Sequence, residues 1–191
     1  VPDVSDGVTS TLKSTIARLQ SQGARALILD LRSSAVGPLN NAVPFAELFL
    51  DGGVVAKIVS RKGPEKTLMA RSTSDSYNGP LAILVDRGTA GAAEIAAACL
   101  LDSDRASLFG ENTFGRAAIQ RQFQLESGGG LVLTVSRYLT PKGQPISGQG
   151  LTPKTLVRNP ESSDAMGTPG KDPVLDKALE SLKETALEAA A

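Results

Sequence analysis

The chain has 191 residues, and its 20 Lys plus Arg are balanced by 20 Asp plus Glu, so the formal net charge is zero. It has no histidine and a single cysteine, Cys99, which excludes a Ser-His-Asp or Cys-His catalytic unit, an internal disulfide and a His/Cys zinc site within these residues. The charge balance gives nucleic acid no basic footprint, and a hydrophobic fraction of 41% with 4% aromatics calls for a core of Ala, Val, Leu and Ile.

Val8, Leu12, Ile16 and Leu19 recur at helical spacing, and Gly23 is placed to close that helix as a left-handed cap. Ala26 to Leu29 is a short apolar run ending in Asp30, which predicts a buried strand. Ser33 to Pro38 reads as a loop, Asn41 to Leu50 as a second amphipathic helix, Val54 to Ser60 as a strand, and Arg61 to Gly79 as an irregular polar excursion. Leu81 to Val85 is the clearest buried strand. It runs through a turn at Asp86–Ala90 into an Ala-rich helix over Ala92–Leu101, in which Cys99 reads as a buried, inert thiol. Ser107 to Phe109 predicts another strand and Asn112 to Gly115 a loop. Ile119–Leu125 and Leu131–Tyr138 flank Gly128–Gly130 as a β-hairpin, and Pro141 to Pro153 reads as a Gly/Pro-rich loop.

Residues 1–158 therefore predict one α/β core with a mixed sheet, 159–171 a linker, and 172–191 a helix packing on the same domain. That last helix opens on Asp172-Pro173 and carries an apolar stripe of Leu175, Leu179, Leu182 and Ala186. The longest apolar run, Ile95–Leu101, is too short to cross a bilayer, so no membrane insertion is expected. The chain begins at Val1 with no visible leader, which reads as a processed product or an excised piece. Gly88 to Gly91 lacks the G-x-G-x-x-G pattern and Gly110 to Gly115 lacks the Gly-Lys-Ser/Thr ending, so no cofactor is expected, and no metal.

Five motifs, in order, then carry a family resemblance over Gly23 to Leu182. Leu29-Asp30-Leu31-Arg32 with the following small-residue loop resembles DLRxNPGG. Leu84 to Ile95 resembles the segment that usually reads SASASEI after a strand. Gly110 to Arg116 resembles GExTFGKG. Ser136 to Ile146 resembles xRYYTPxGRxI. Gly148 to Pro153 and Asp172 to Leu175 resemble GxGIxP and DPxLxxAL. Together they resemble the catalytic domain of the C-terminal processing, or tail-specific, proteases, which are serine peptidases with a Ser-Lys dyad. The resemblance implies a Clp protease/crotonase-like mixed sheet flanked by helices, with a β-hairpin and a C-terminal helix. It also implies protein or peptide C-terminal segments as partners and an extracytoplasmic, often periplasmic, setting. Full-length members usually carry a PDZ domain, and none fits in this chain.

Carried over residue by residue, the family's nucleophile position is Gly91, its lysine position is Arg116, and its supporting glutamine is retained as Gln120. The oxyanion-hole positions fall on Ala92 and, in the PGG loop, on Val36 and Gly37. Glycine offers no attacking atom, and arginine keeps its proton under ordinary conditions, so neither can do its family role. The resemblance thus implies a homologue that binds extended C-termini without cleaving them, with Arg116 and Thr113 as binding residues. Two alternatives stand beside it: an active peptidase with a rearranged nucleophile, for which Thr89 is the nearest hydroxyl, and a scaffold module of a larger protease. Thr89 has a simpler reading as a turn-stabilising hydroxyl. Asp30 with Arg32, Glu94 and Glu111 read as structural.

Overall fold

The computed structural model describes residues 1–158 and 172–188, the last three without their side chains. The expected linker at 159–171, the Ala186 side chain and residues 189–191 lie outside the described part.

Helix α1 (Asp6–Ser21) turns Ile16 into the core and leads through Gly23 to β1 (Leu27–Asp30). A short 3-10 turn (Leu39–Asn41) enters α2 (Ala42–Ala46), then come β2 (Gly53–Ser60), β3 (Lys66–Ala70), β4 (Leu81–Val85), α3 (Ala92–Asp102) and β5 (Ser107–Gly110). The hairpin β6 (Ala118–Gln124) and β7 (Gly130–Leu139) follows, then β8 (Thr155–Leu156) and α4 (Pro173–Glu188). Parallel and antiparallel pairing are both present, as expected for this α/β class, and are divided between two sheets. Strands β1-β4-β5-β8 pair in parallel, and β3-β2-β7-β6 pair antiparallel.

Strand β4 is buried along its whole length, because both faces are covered. Leu81, Ile83 and Val85 enter the main core with α3, while Ala82 and Leu84 meet Phe109, Val174 and Ala178 under α4. The buried line of α4 is thus Val174 and Ala178, and Leu179 of the predicted stripe is 42% exposed. Leu175 and Leu182 of that stripe are partly buried and pack against the same cluster, so the stripe meets the sheet at two of its described leucines, with Val174 and Ala178 buried beside them. Arg32 ties this helix to β1. Its guanidinium holds both oxygens of Asp30, at 2.9 and 2.6 Å, and Asp172 at 2.7 Å.

Two elements differ from expectation. The winding after α2 continues to Leu50, but through mixed three- and four-residue hydrogen bonds (Leu48 to Phe45, Phe49 to Ala46, Leu50 to Ala46), so regular α-helix stops at Ala46. The excursion after β2 contains β3, a mostly exposed edge strand whose polar residues hide the alternation a half-buried strand would show.

Candidate functional site

The site is built where β4 ends. Asp86 opens a turn in which its Oδ1 accepts from the Gly88 and Ser33 N–H groups, both at 2.8 Å. The Thr89 hydroxyl donates to the Leu31 carbonyl at 2.9 Å and accepts from the Asp86 N–H at 3.0 Å, fully buried. Ala90 donates its N–H to Ser34 O at 2.9 Å. The turn and the 31–37 loop are therefore one bonded unit, and the Thr89 hydroxyl is committed within it. Ser34 Oγ is buried beside it with no partner among the described residues.

Gly91 follows as the N-cap of α3, with φ 66° and ψ −122°. This sharp strand-to-helix turn is the geometry of a nucleophile elbow, which a side-chain-bearing residue holds only under strain. A Cβ here would have room, since its nearest neighbours would be Leu39 Cδ2 at 3.5 Å and Arg116 O at 3.8 Å. Ala92, next in the chain, lies in the first turn of α3, where N–H groups have no intrahelical acceptor.

Glu94 organises everything beneath. It is the one charged side chain between Ala92 and Leu101, and it is fully buried. Its Oε2 accepts from the Gly91 N–H at 3.0 Å and the Arg116 N–H at 2.8 Å. Its Oε1 accepts from the Gly115 N–H at 2.6 Å and from the Thr113 hydroxyl. Thr113 in turn accepts from the Leu151 N–H at 2.8 Å, and its own N–H donates to Leu151 O at 3.1 Å. Thr113, expected as a binding residue, is thus buried in this clasp and bonded on both sides of its oxygen.

Arg116 leaves the clasp in the opposite sense. Its backbone is held by Glu94, while its exposed guanidinium crosses to donate to the Ala35 carbonyl. The carbonyl of the adjoining Val36 accepts from Val4 N–H at 3.0 Å, and Gly37 sits at φ 126° with its would-be Cβ 2.4 Å from Val4 O, where only glycine fits. Val36 and Phe114, on the two loops that Arg116 bridges, are 69% and 65% exposed. Gln120 lies apart on β6, exposed and without a side-chain hydrogen bond among the described residues. The structure thus brings Gly91, Arg116 and the Ala35–Gly37 loop together, and leaves Gln120 outside that network.

Neighbouring ionisable groups are structural. Asp30 and Asp172 are both held below the usual carboxylate range: burial alone would raise them, and the hydrogen bonds and charge of Arg32, with backbone N–H bonds, outweigh it. The Cys99 thiol is pushed up to about 12, by burial first and then by Asp102, which keeps it a thiol and unreactive. No cluster of metal-ligating side chains occurs among the described residues.

What sequence reasoning undervalued was Glu94. Its signal was present: the one carboxylate in the apolar stretch Ala92–Leu101, at the third position of the helix, able to reach back to its own N-cap N–H.

The family model of peptidase family S41 matches residues 1–157. A carboxyl-terminal-processing protease of Synechocystis sp. is 38% identical over 165 residues, covering 86% of this chain and 38% of that protein. The carboxy-terminal processing protease CtpA of Bacillus subtilis is 33% identical over 161 residues, covering 84% of this chain and 34% of its own length. Among solved structures, a photosystem II D1 C-terminal processing protease superposes with a TM-score of 0.75 at 33% identity, covering 83% of this chain and 41% of that one. The chain therefore spans about two fifths or less of each of these three relatives.

Proposed function

This chain belongs to peptidase family S41, and on that premise we propose that it is a domain of the C-terminal processing type that binds extended protein C-termini and does not itself cleave them. The observation that carries the reading is the pair Gly91 and Arg116. The elbow position has no side chain, and the residue at the family's lysine position is a guanidinium already donating to Ala35 O. Covalent acyl transfer needs a hydroxyl or thiol at the elbow and a base able to shed its proton. Thr89, the hydroxyl nearest in sequence, keeps its hydrogen inside the turn, on Leu31 O or Asp86 Oδ1, and so lends the rearranged-nucleophile reading no support.

Binding is a different matter. An extended peptide can lie along the lip formed by Val36 and Phe114, with apolar side chains against their exposed surfaces. The guanidinium of Arg116, forked and exposed, meets a terminal carboxylate with the N–H groups not turned to Ala35.

Three measurements test this together. A fluorophosphonate label and a chromogenic peptide should give no labelling and no turnover. Labelling at one Ser or Thr, abolished by its substitution, would overturn the non-catalytic reading. In fluorescence anisotropy, a peptide with a free C-terminus should bind roughly tenfold more tightly than its amidated form, the size of one charge-assisted hydrogen bond. Equal affinity for the two removes the carboxylate clamp.

A further inference from the structure

Strand β7 is longer than its neighbour on one side. Residues Gly130–Thr134, Ser136 and Arg137 pair with β6, with a bulge at Val135, but β2 pairs only with Ser136–Leu139 and stops at Ser60. From Leu131 to Val135 one edge of β7 therefore carries backbone donors and acceptors with no strand beside them. The same hairpin shows an apolar face. Phe123 lies opposite Leu131 across the ladder, and Leu125 and Leu133 share their parity, with exposures between 41% and 46% for all four. A two-stranded ribbon with an open edge and an exposed apolar face is marginal alone and is a template for further pairing.

The charges at the two ends of this edge are opposite. Glu126 stands in the hairpin turn, where Leu125 N–H donates to Gly129 O at 2.7 Å and Gly128 N–H to Leu125 O at 3.0 Å. At the other end, where β2 stops, a cavity of about 270 Å³ is lined by residues including Arg61, Thr134 and Arg137. Neither arginine nor Glu126 is in an ion pair among the described residues.

We infer that this edge pairs with the same edge of a second copy, antiparallel, about a two-fold axis through Leu133. An axis normal to the sheet keeps each face on its own side, so facing residues must share parity. With the axis at Leu133, Leu133 faces its own counterpart on the apolar side, and Leu131 faces the bulged Val135 of the partner subunit. Val132 faces Thr134 of the partner subunit on the other side. Five residues pair, which is the whole of the open edge, and β2's end is the stop. Each hairpin turn then arrives at the other copy's cavity, and Glu126 approaches Arg61 and Arg137. The two hairpins become one four-stranded ribbon with a continuous apolar face. This inference does not depend on the peptide-binding reading.

Analytical ultracentrifugation over a wide concentration series should show a reversible dimer. Leu133→Lys places like charges opposite each other at the axis and should weaken association by about tenfold or more. Glu126→Lys should weaken it too, and adding Arg61→Glu with Arg137→Glu should restore it. Under mild oxidation Leu133→Cys should form a covalent dimer while Phe123→Cys, off the axis, should not; buried Cys99 does not compete. All these sites are at the surface, and unchanged melting of each variant confirms that it folds. A monomer at every concentration overturns the inference, as does a dimer indifferent to Leu133→Lys and not trapped by Leu133→Cys. Hydrogen-exchange protection of 131–135 that appears only on adding an extended peptide, and not with concentration, assigns the edge to a peptide instead and overturns it equally.

Discussion

Glu94 and Arg116 meet at the same backbone N–H and are otherwise held in opposite ways. Glu94 is fully buried, and its two oxygens accept four hydrogen bonds from Gly91, Thr113, Gly115 and Arg116. The Arg116 side chain lies in solvent with one bond to a loop carbonyl. Beneath the site the polar groups are matched one to one, and above it they are loosely engaged. The difference locates what folding requires and what chemistry would require. The clasp fixes the elbow, the 113–116 loop and the Gly150–Leu151 turn whatever side chains stand at 91 and 116. The fold can therefore persist whatever residues stand at those two positions.

The largest test of this contrast removes the clasp. Glu94→Ala leaves the buried Gly91 and Gly115 N–H groups, the part-buried Arg116 N–H and the buried Thr113 hydroxyl without their acceptor. Unsatisfied buried donors are costly, so the loss should be about 3–5 kcal/mol, read as a fall in the urea midpoint at constant slope. Glu94→Gln keeps the shape but turns an NH₂ toward N–H donors, and should fall between Ala and wild type. A loss within about 0.5 kcal/mol, as for an ordinary surface change, would mean that the clasp does not hold the site.

Restoring a side chain at the elbow tests the other layer. Gly91→Ser has space, with its nearest neighbour at 3.5 Å, but it must adopt φ 66° and ψ −122°. Strain of that kind costs about 1–2 kcal/mol, so the variant should be folded and modestly less stable in the same denaturation assay. A stable or stabilised variant would mean that the elbow relaxes, and that glycine is not what keeps it sharp.

Much of this was legible in the residues and some was not. The β4–turn–α3 unit shows in the sequence because a fully apolar strand, a turn and an Ala-rich helix each carry a strong local signal. Gly91 and Arg116 stood out because they interrupt motifs whose neighbours survive. Strand β3 was hidden, since a polar edge strand has no periodic burial to read. The two-residue β8 is defined only by its partner β5. The role of Thr113 was hidden for a different reason. Its hydroxyl meets Glu94 and the Leu151 N–H, 19 and 38 residues away in sequence, and no local pattern reports such contacts. Along α4 the leucines at 175 and 182 were legible as a stripe, whereas the fully buried Ala178 beside them carries no strong apolar signal of its own.

The smallest expected effect is the most discriminating, because it separates stability from local order at one residue. Arg116→Ala removes a guanidinium whose hydrogen bond to Ala35 O competes with water at every moment. Global stability should change by no more than about 0.5 kcal/mol. The 35–37 loop keeps two other holds, the Val4 N–H to Val36 O bond and the close packing of Gly37 on Val4 O, so it should not detach. It should open more often, and native-state hydrogen exchange at Val4, whose N–H donates to Val36 O, should quicken while α3 amides stay unchanged, because loop opening and global unfolding are separate processes. If Arg116→Ala instead cost as much as Glu94→Ala, the guanidinium would belong to the scaffold. A residue engaged that firmly with Ala35 would not be free to receive a peptide carboxylate, and the binding role proposed for it would fall with the contrast.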